Sequence, residues 1–223
     1  MADIIVHHLE KSRSHRLLWI LEELELPYAL KTYERDPVTI RAPESLRAVH
    51  PLGKAPVLEV DGETFAESGA ILEHCVDELA EGRLRPDRGT ADYHRYRYWM
   101  HYGEGSLMSP LLLRLVMSKV RSAPLPFFIK PIAKGIVGKV EAGFTAPELE
   151  RHAAYIEAHL SEHAFFAGAE FSAADVQMSY PVEALLARGN VEANQQKTRA
   201  WFETISARDA YARAAEKGGP VML

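Results

Sequence analysis

Hydrophobic residues follow two rhythms along this chain, and the rhythm changes once. Over the first eighty or so positions, short apolar runs alternate with stripes at helical spacing; beyond residue 91 only the helical spacing persists. Ile4-Ile5-Val6 is a β-branched run of the kind a buried strand needs. Leu17, Leu18, Ile20, Leu21 and Leu24 then share one face of a helix that opens after Ser14-His15-Arg16. Pro27 punctuates, and Tyr28 to Tyr33 predicts a second strand, parallel to the first with the helix as crossover. A short helix is predicted over residues 43–49. Val57 to Val60 and Glu63 to Phe65 predict a hairpin, because Asp61-Gly62 supplies the positive φ angles of a tight type I′ turn. Ser68 to Leu79 closes the unit as a helix with Ile71, Leu72, Cys75, Val76 and Leu79 on its apolar side. The order βαβ, α, ββα predicts a mixed four-stranded sheet flanked by helices.

Residues 82–91, rich in glycine, proline and charge, read as a linker between a first domain over 1–81 and a second over 92–223. The second domain is predicted to be all-helical. One helix runs from near Ala91 toward a kink at Pro110, and others cover roughly 126–140, 146–163, 172–188 and 194–206. Ser172 followed by Asp175 is a capping-box start for the fourth of these.

Composition narrows the function. With 223 residues, 47% of them hydrophobic and 26% charged, the chain has enough apolar matter for a core and is not disordered. The balance of 26 basic against 31 acidic residues argues against a nucleic-acid partner. A single cysteine excludes a disulfide framework and a multi-cysteine zinc site. No signal-like leader and no membrane-length apolar run is present, so a cytoplasmic protein without an integral membrane segment is expected. His7-His8 and His101 lack the spacing and partners of metal ligands, and no metal site is expected.

Three polar segments of the first domain carry candidate chemistry. The turn Leu9 to Arg16 puts the hydroxyls of Ser12 and Ser14 by the positive end of the first helix, where an anion is favoured. His50-Pro51-Leu52-Gly53-Lys54-Ala55-Pro56-Val57 leads into a strand; an X-Pro bond there can be cis, which turns the backbone of Ala55 outward to pair with an extended ligand. Glu67-Ser68-Gly69-Ala70-Ile71 places a carboxylate and a hydroxyl at another helix start, suited to an α-amino and α-carboxylate pair. Each serine can also be a plain helix cap and Lys54 a solvated charge. Their joint occurrence on this order of elements carries the reading.

With these segments in place, the chain resembles the glutathione S-transferases. Ser12-Arg13-Ser14-His15-Arg16, His50 to Leu58, Glu67 to Ile71 and the Ser172–Asp175 box carry the resemblance, which covers essentially the whole chain. Its Ser-Arg-Ser and Leu-Glu-Glu-Leu wording looks like that of the bacterial and fungal serine-type members. The resemblance implies a thioredoxin-like N-terminal domain and an all-helical C-terminal domain that forms the electrophile pocket. It also implies that Ala55, before cis Pro56, pairs its backbone with the cysteinyl unit of glutathione. Glu67 and Ser68 would hold the γ-glutamyl end, and Lys54, with Arg41 as a weaker candidate, the glycyl carboxylate. Ser12 would face the sulfur, with Ser14 as the alternative. Tyr102 and Ser106 are candidates for the electrophile pocket.

The implied activity is a detoxifying transferase that conjugates glutathione, as co-substrate, to a small hydrophobic electrophile, in a homodimer. A non-catalytic regulatory module and a glutathione-dependent peroxidase or dehalogenase are the alternatives. A free thiol has a pKa of about 8.5, and lowering it to about 6.5 requires roughly 2.7 kcal/mol. A hydrogen bond to the thiolate and the adjacent helix end are of that order together. Ser12 would therefore act as a donor, neither base nor nucleophile. Cys75, on an apolar helix face, is expected to be an inert core thiol. The segment 114–139 is basic and apolar, and reads as a structured flap over a hydrophobic substrate pocket or as plain packing, with a membrane-surface helix as the lesser alternative.

Overall fold

The computed structural model describes residues 2–189, 191, 194–219 and 221. Four strands, β1 (Ile4–Leu9), β2 (Ala29–Tyr33), β3 (Val57–Val60) and β4 (Glu63–Ala66), form one sheet in the order β2-β1-β3-β4. β1 and β2 are parallel through the crossover helix α1 (His15–Glu23), whereas β3 pairs antiparallel to both β1 and β4. Asp61 and Gly62 form the two-residue hairpin turn with φ of 50° and 84°, as the Asp-Gly pair requires. The short helix α2 (Glu44–Val49) follows β2, and α3 (Ser68–His74) follows β4. The predicted helix over 68–79 is thus present, but its last turn, Cys75–Leu79, winds as a π-helix.

Seven helices complete the described chain: α4 (Ala91–Tyr102), α5 (Met108–Ser122), α6 (Lys130–Val140), α7 (Ala146–Glu162), α8 (Ala173–Arg188), α9 (Gln196–Ser206) and α10 (Asp209–Gly218). Thr90 caps α4 by accepting the Tyr93 N–H. The break expected at Pro110 lies upstream, in a π-helical turn at Gly103–Leu107 that joins α4 to α5. Pro110 stands in the first turn of α5, just after the π-helical turn. A second such turn, Glu141–Thr145, joins α6 to α7.

At the start of α8 the capping box is closed, with Ser172 accepting from the Ala174 N–H and Asp175 accepting from the Ser172 N–H. Asp175 also accepts from the Phe166 N–H at 3.0 Å and from Trp201 Nε1 at 2.9 Å, so one buried carboxylate fastens α8 to the preceding loop and to α9. The core is continuous from the sheet (Val6, Leu58) through α1 (Leu17, Trp19) to the helices behind it (Trp99, Phe166, Trp201).

Helix α1 is buried along nearly its whole length, packed against α3, α8 and α10. Two of its acids tie it to α10: Glu22 takes Arg213 at 2.8 Å and Lys217 at 2.5 Å, and Glu23 takes Arg208 at 2.6 Å. Among the described residues no helix is long and apolar enough to cross a membrane.

Candidate active site

Strand register determines which motifs meet. Because Val57 opposes both His7 and Ala66, the start of β3 is flanked by the end of β1 on one side and the end of β4 on the other. The residue before Val57 is Pro56, the chain beyond β1 is the Ser12 turn, and the chain beyond β4 is Glu67-Ser68. All three sequence motifs therefore lie at one end of the sheet. The Ala55–Pro56 bond is cis. Pro56 is buried, while Lys54 stands exposed beside it and Arg41 is exposed in the loop before α2.

Glu67 has φ of 73° and ψ of 122°, outside the regions L-residues ordinarily occupy. Such a conformation carries about 1–3 kcal/mol of strain and concentrates at ligand clamps. The conformation leaves Glu67 exposed, while the next residue, Ser68, is buried at the first position of α3.

The two serines of the turn are not equivalent. Ser14 is 0% exposed and stands at the N-cap position of α1, yet its hydroxyl does not cap the helix. Instead Ser14 Oγ accepts the Leu9 N–H at 3.2 Å and contacts His8 Nδ1 at 2.8 Å. His8 Nε2 lies 2.9 Å from the carbonyl oxygen of Gly218 in α10, so that nitrogen carries the proton, and Nδ1 accepts from Ser14. Ser12 Oγ sits 2.8 Å from Ser14 Oγ and also accepts the Ser14 N–H at 3.2 Å. Ser14 Oγ also lies 3.2 Å from the Leu9 carbonyl, but the shorter contact, to the acceptor nitrogen of His8, takes its one proton, so the proton between the two serines belongs to Ser12. Ser12 is the outer member of this relay and the one that keeps some exposure, 6%. Burial lowers the His8 pKa, which keeps the ring neutral and the relay in this direction.

Arg16 connects the turn to the other motif. Its guanidinium, 1% exposed, donates to Ser68 Oγ at 2.8 Å, to Gln177 Oε1 at 2.8 Å and to the Gln177 carbonyl at 2.9 Å, and pairs with Glu104 at 2.5 Å. Arg13 approaches the same Glu104 oxygen at 3.3 Å. Burial pushes the Arg16 guanidinium down and Glu104 opposes that, so the carboxylate keeps the cation charged. His8, Arg16, Glu104 and Gln177 had no role in the sequence reading, because each acts through a partner remote in the chain. The available signal was Arg16 itself, a cation inside an apolar stripe, which demands a buried acceptor set.

A cavity of about 890 Å³ opens beside the Ser12 turn. Lys11 and Arg13 from the turn, Arg35 and Ile40 from the loop after β2, and residues of α5 and α8 line it. Tyr102 and Ser106 stand apart from this cavity: with Tyr98 and His101 they line a separate hollow of about 580 Å³ on α4. Tyr102 is buried, and its hydroxyl bonds His152 Nδ1. The basic segment 114–139 is not one flap; Arg114, Lys119 and Arg121 of α5 face the cavity, whereas Lys130, Lys134 and Lys139 of α6 do not line it. Cys75 is fully buried, and burial pushes its thiol up to about 12, which makes it unreactive.

A thioredoxin-like sheet with a cis-proline loop and a helical second part defines a class of fold. Comparison with known proteins narrows it further. The sequence model of the glutathione S-transferase N-terminal domain matches residues 12–78. The chain is 36% identical over 214 residues to Glutathione S-transferase 3 of Schizosaccharomyces pombe, covering 96% of this chain and 87% of that protein. It is 33% identical over 224 residues to Glutathione S-transferase 1 of Saccharomyces cerevisiae, covering 96% and 94%. A solved glutathione S-transferase structure from Actinobacillus pleuropneumoniae is 34% identical, with a TM-score of 0.77 over 96% of this chain and 92% of that one. The chain belongs to the glutathione S-transferase family.

Proposed function

We propose that the protein ionises the thiol of bound glutathione and transfers the sulfur to a small apolar electrophile, as a serine-type member of its family. The relatives' names support the transferase activity. A solved structure from Phanerochaete chrysosporium with the same fold is described in complex with oxidised glutathione, which supports the ligand. The observation that carries the reading is the convergence, at one end of the sheet, of the Ser12 relay, Ala55–Pro56 and the Arg16-held Ser68.

In this reading the backbone of Ala55 pairs with the cysteinyl unit and Lys54 receives the glycyl carboxylate. Glu67 and Ser68 take the γ-glutamyl amine and carboxylate; Arg16 fixes Ser68 Oγ from behind so that its proton is free to point at the carboxylate. The thiol proton leaves to solvent, and Ser12 turns its O–H from Ser14 to the thiolate. The thiolate attacks an electrophile held in the cavity between the Ser12 turn, α5 and α8. We further propose that 82–91 separates the glutathione domain (1–81) from the helical domain (92–223), and that the protein is a cytoplasmic homodimer.

The experiment is an ultraviolet titration of the protein with glutathione from about pH 5 to about 9. A bound thiol that titrates below the free one supports the mechanism. Binding with an unshifted thiol, or no binding, refutes it.

A further inference from the structure

We propose that the cavity beside Ser12 selects electrophiles that carry their own negative charge: flat apolar molecules ending in a carboxylate or sulfonate. The proposal deepens the transferase reading as to substrate, while the charge preference stands on the cavity alone.

The chain as a whole is acidic, with a formal net charge of −5. Against that background the cavity wall is strongly cationic. Lys11 and Arg13 come from the Ser12 turn, Arg35 from the loop after β2, Arg114, Lys119 and Arg121 from α5, and Arg188 and Arg199 from α8 and α9. Among the described lining residues Glu141 is the single acid, and it is already paired with Arg121, while Arg13 shares Glu104 with Arg16. Arg114 donates to the Gly189 carbonyl at 2.6 Å, a neutral acceptor that leaves its charge uncompensated. Lys11 and Lys119 make no side-chain hydrogen bond or ion pair among the described residues. Met108, Leu111, Leu115 and Ala184 supply the apolar part of the wall.

These cations are additional to those assigned to glutathione, because Lys54, Glu67, Ser68 and Arg41 do not line this cavity. An apolar wall with cations on several elements fits an amphipathic anion. Bringing an anionic electrophile to a thiolate is opposed by like charge, and this wall offsets that repulsion. For a chloronitrobenzoate the step balances simply: the thiolate sulfur forms a bond to the ring carbon, the carbon–chlorine bond breaks, and chloride leaves with the electron pair.

The test is equilibrium dialysis of 4-chloro-3-nitrobenzoate and 4-chloro-3-nitrobenzamide, which share ring, chlorine and nitro group and differ in charge. The expected result is a benzoate bound tighter by about tenfold for each direct cationic contact, with added salt weakening the benzoate alone. The Arg114→Gln/Lys119→Gln variant should lose most of that preference, and Arg114→Lys/Lys119→Arg should retain it. Equal binding of the two ligands, no binding of either, or a preference unchanged in the neutralised variant overturns the proposal. The glutathione titration on the same preparation separates the two readings. Benzoate preference without ionised glutathione refutes the transferase and upholds the anion site, and ionised glutathione without charge preference does the reverse.

Discussion

Replacing Ser12 by alanine removes one hydroxyl whose present partners are known, so the effect on the bound thiol can be worked from the geometry. In the unliganded relay Ser12 gives its proton to Ser14 Oγ at 2.8 Å, since Ser14 gives its own to His8. A thiolate recovers that proton at the expense of the serine–serine bond. A hydrogen bond to a charged acceptor contributes about 1.5–3 kcal/mol and the neutral one given up about 0.5–1.5, so the net gain is about 1–1.5 kcal/mol. That is about one pH unit. The first turn of α1 adds roughly 0.3–1 kcal/mol, which Ser12→Ala leaves in place.

The bound thiol is therefore expected to titrate near 7, about half a unit above the 6.5 considered earlier, and Ser12→Ala to move it to about 8. The assay is the ultraviolet thiolate titration of wild type and variant at saturating glutathione, with affinity measured in parallel by calorimetry. Ser14→Ala is the contrast: it strips the buried Leu9 N–H and His8 Nδ1 of a partner, so it should lower stability by about 2 kcal/mol. An unchanged titration in Ser12→Ala, with glutathione still bound, would refute the donor role.

Three further outcomes are expected. Glu104→Gln leaves the buried Arg16 cation without its carboxylate, and should lower stability by about 2–3 kcal/mol in denaturant melts and weaken glutathione binding through Ser68. Asp175→Asn offers one acceptor oxygen to four donors, so a loss of about 3 kcal/mol is expected in the same melts; a loss under about 1 would contradict the account. Stability should also fall with acid. Burial first, with His8 adding, holds His15 down at about 4 against 6.5 when unfolded, so the unfolded chain takes the proton first. Stability is then lost from about pH 6.5 to 4, by about 3 kcal/mol for this residue. His159, held down to about 4, acts in the same direction. Asp175 opposes them, because burial pushes its carboxyl up to about 6 and it favours the folded state as pH drops through that value. Thermal melts should show a falling midpoint from about pH 7 to 4.5, flatter in His15→Phe; a rising midpoint would refute the assignment.

What the sequence makes legible here is local. Asp61-Gly62 dictates its turn, Ser172 and Asp175 dictate a helix start three residues apart, and the β-branched and leucine runs dictate the βαβ unit. What it hides is either built from small residues or completed from far away. Helix α10 escapes the hydrophobic pattern because the residues it buries are Ala210, Ala214 and Gly218, which carry little apolar weight. The π-helical turns escape because residues such as Gly103 and Gly105 have no side chain to mark a register. A Cβ at Gly103 would lie 3.3 Å from the Met178 sulfur, so that side chain would have to give by a few tenths of an ångström. Ser12 and Ser68 are readable as candidates, but the division of labour between Ser12 and Ser14 depends on His8, and the fixing of Ser68 depends on Gln177 and Glu104.

The bond from His8 to the Gly218 carbonyl spans 210 positions of sequence. A chain emerging from the ribosome presents β1 and the serine turn first, yet the contact that sets the tautomer of His8 exists only once α10 is docked on α1. Without that contact the Ser14 proton is free to point either way. Chemistry at the first helix thus depends on the last one, and a chain lacking α10 would lack the hydrogen-bond order that activity needs.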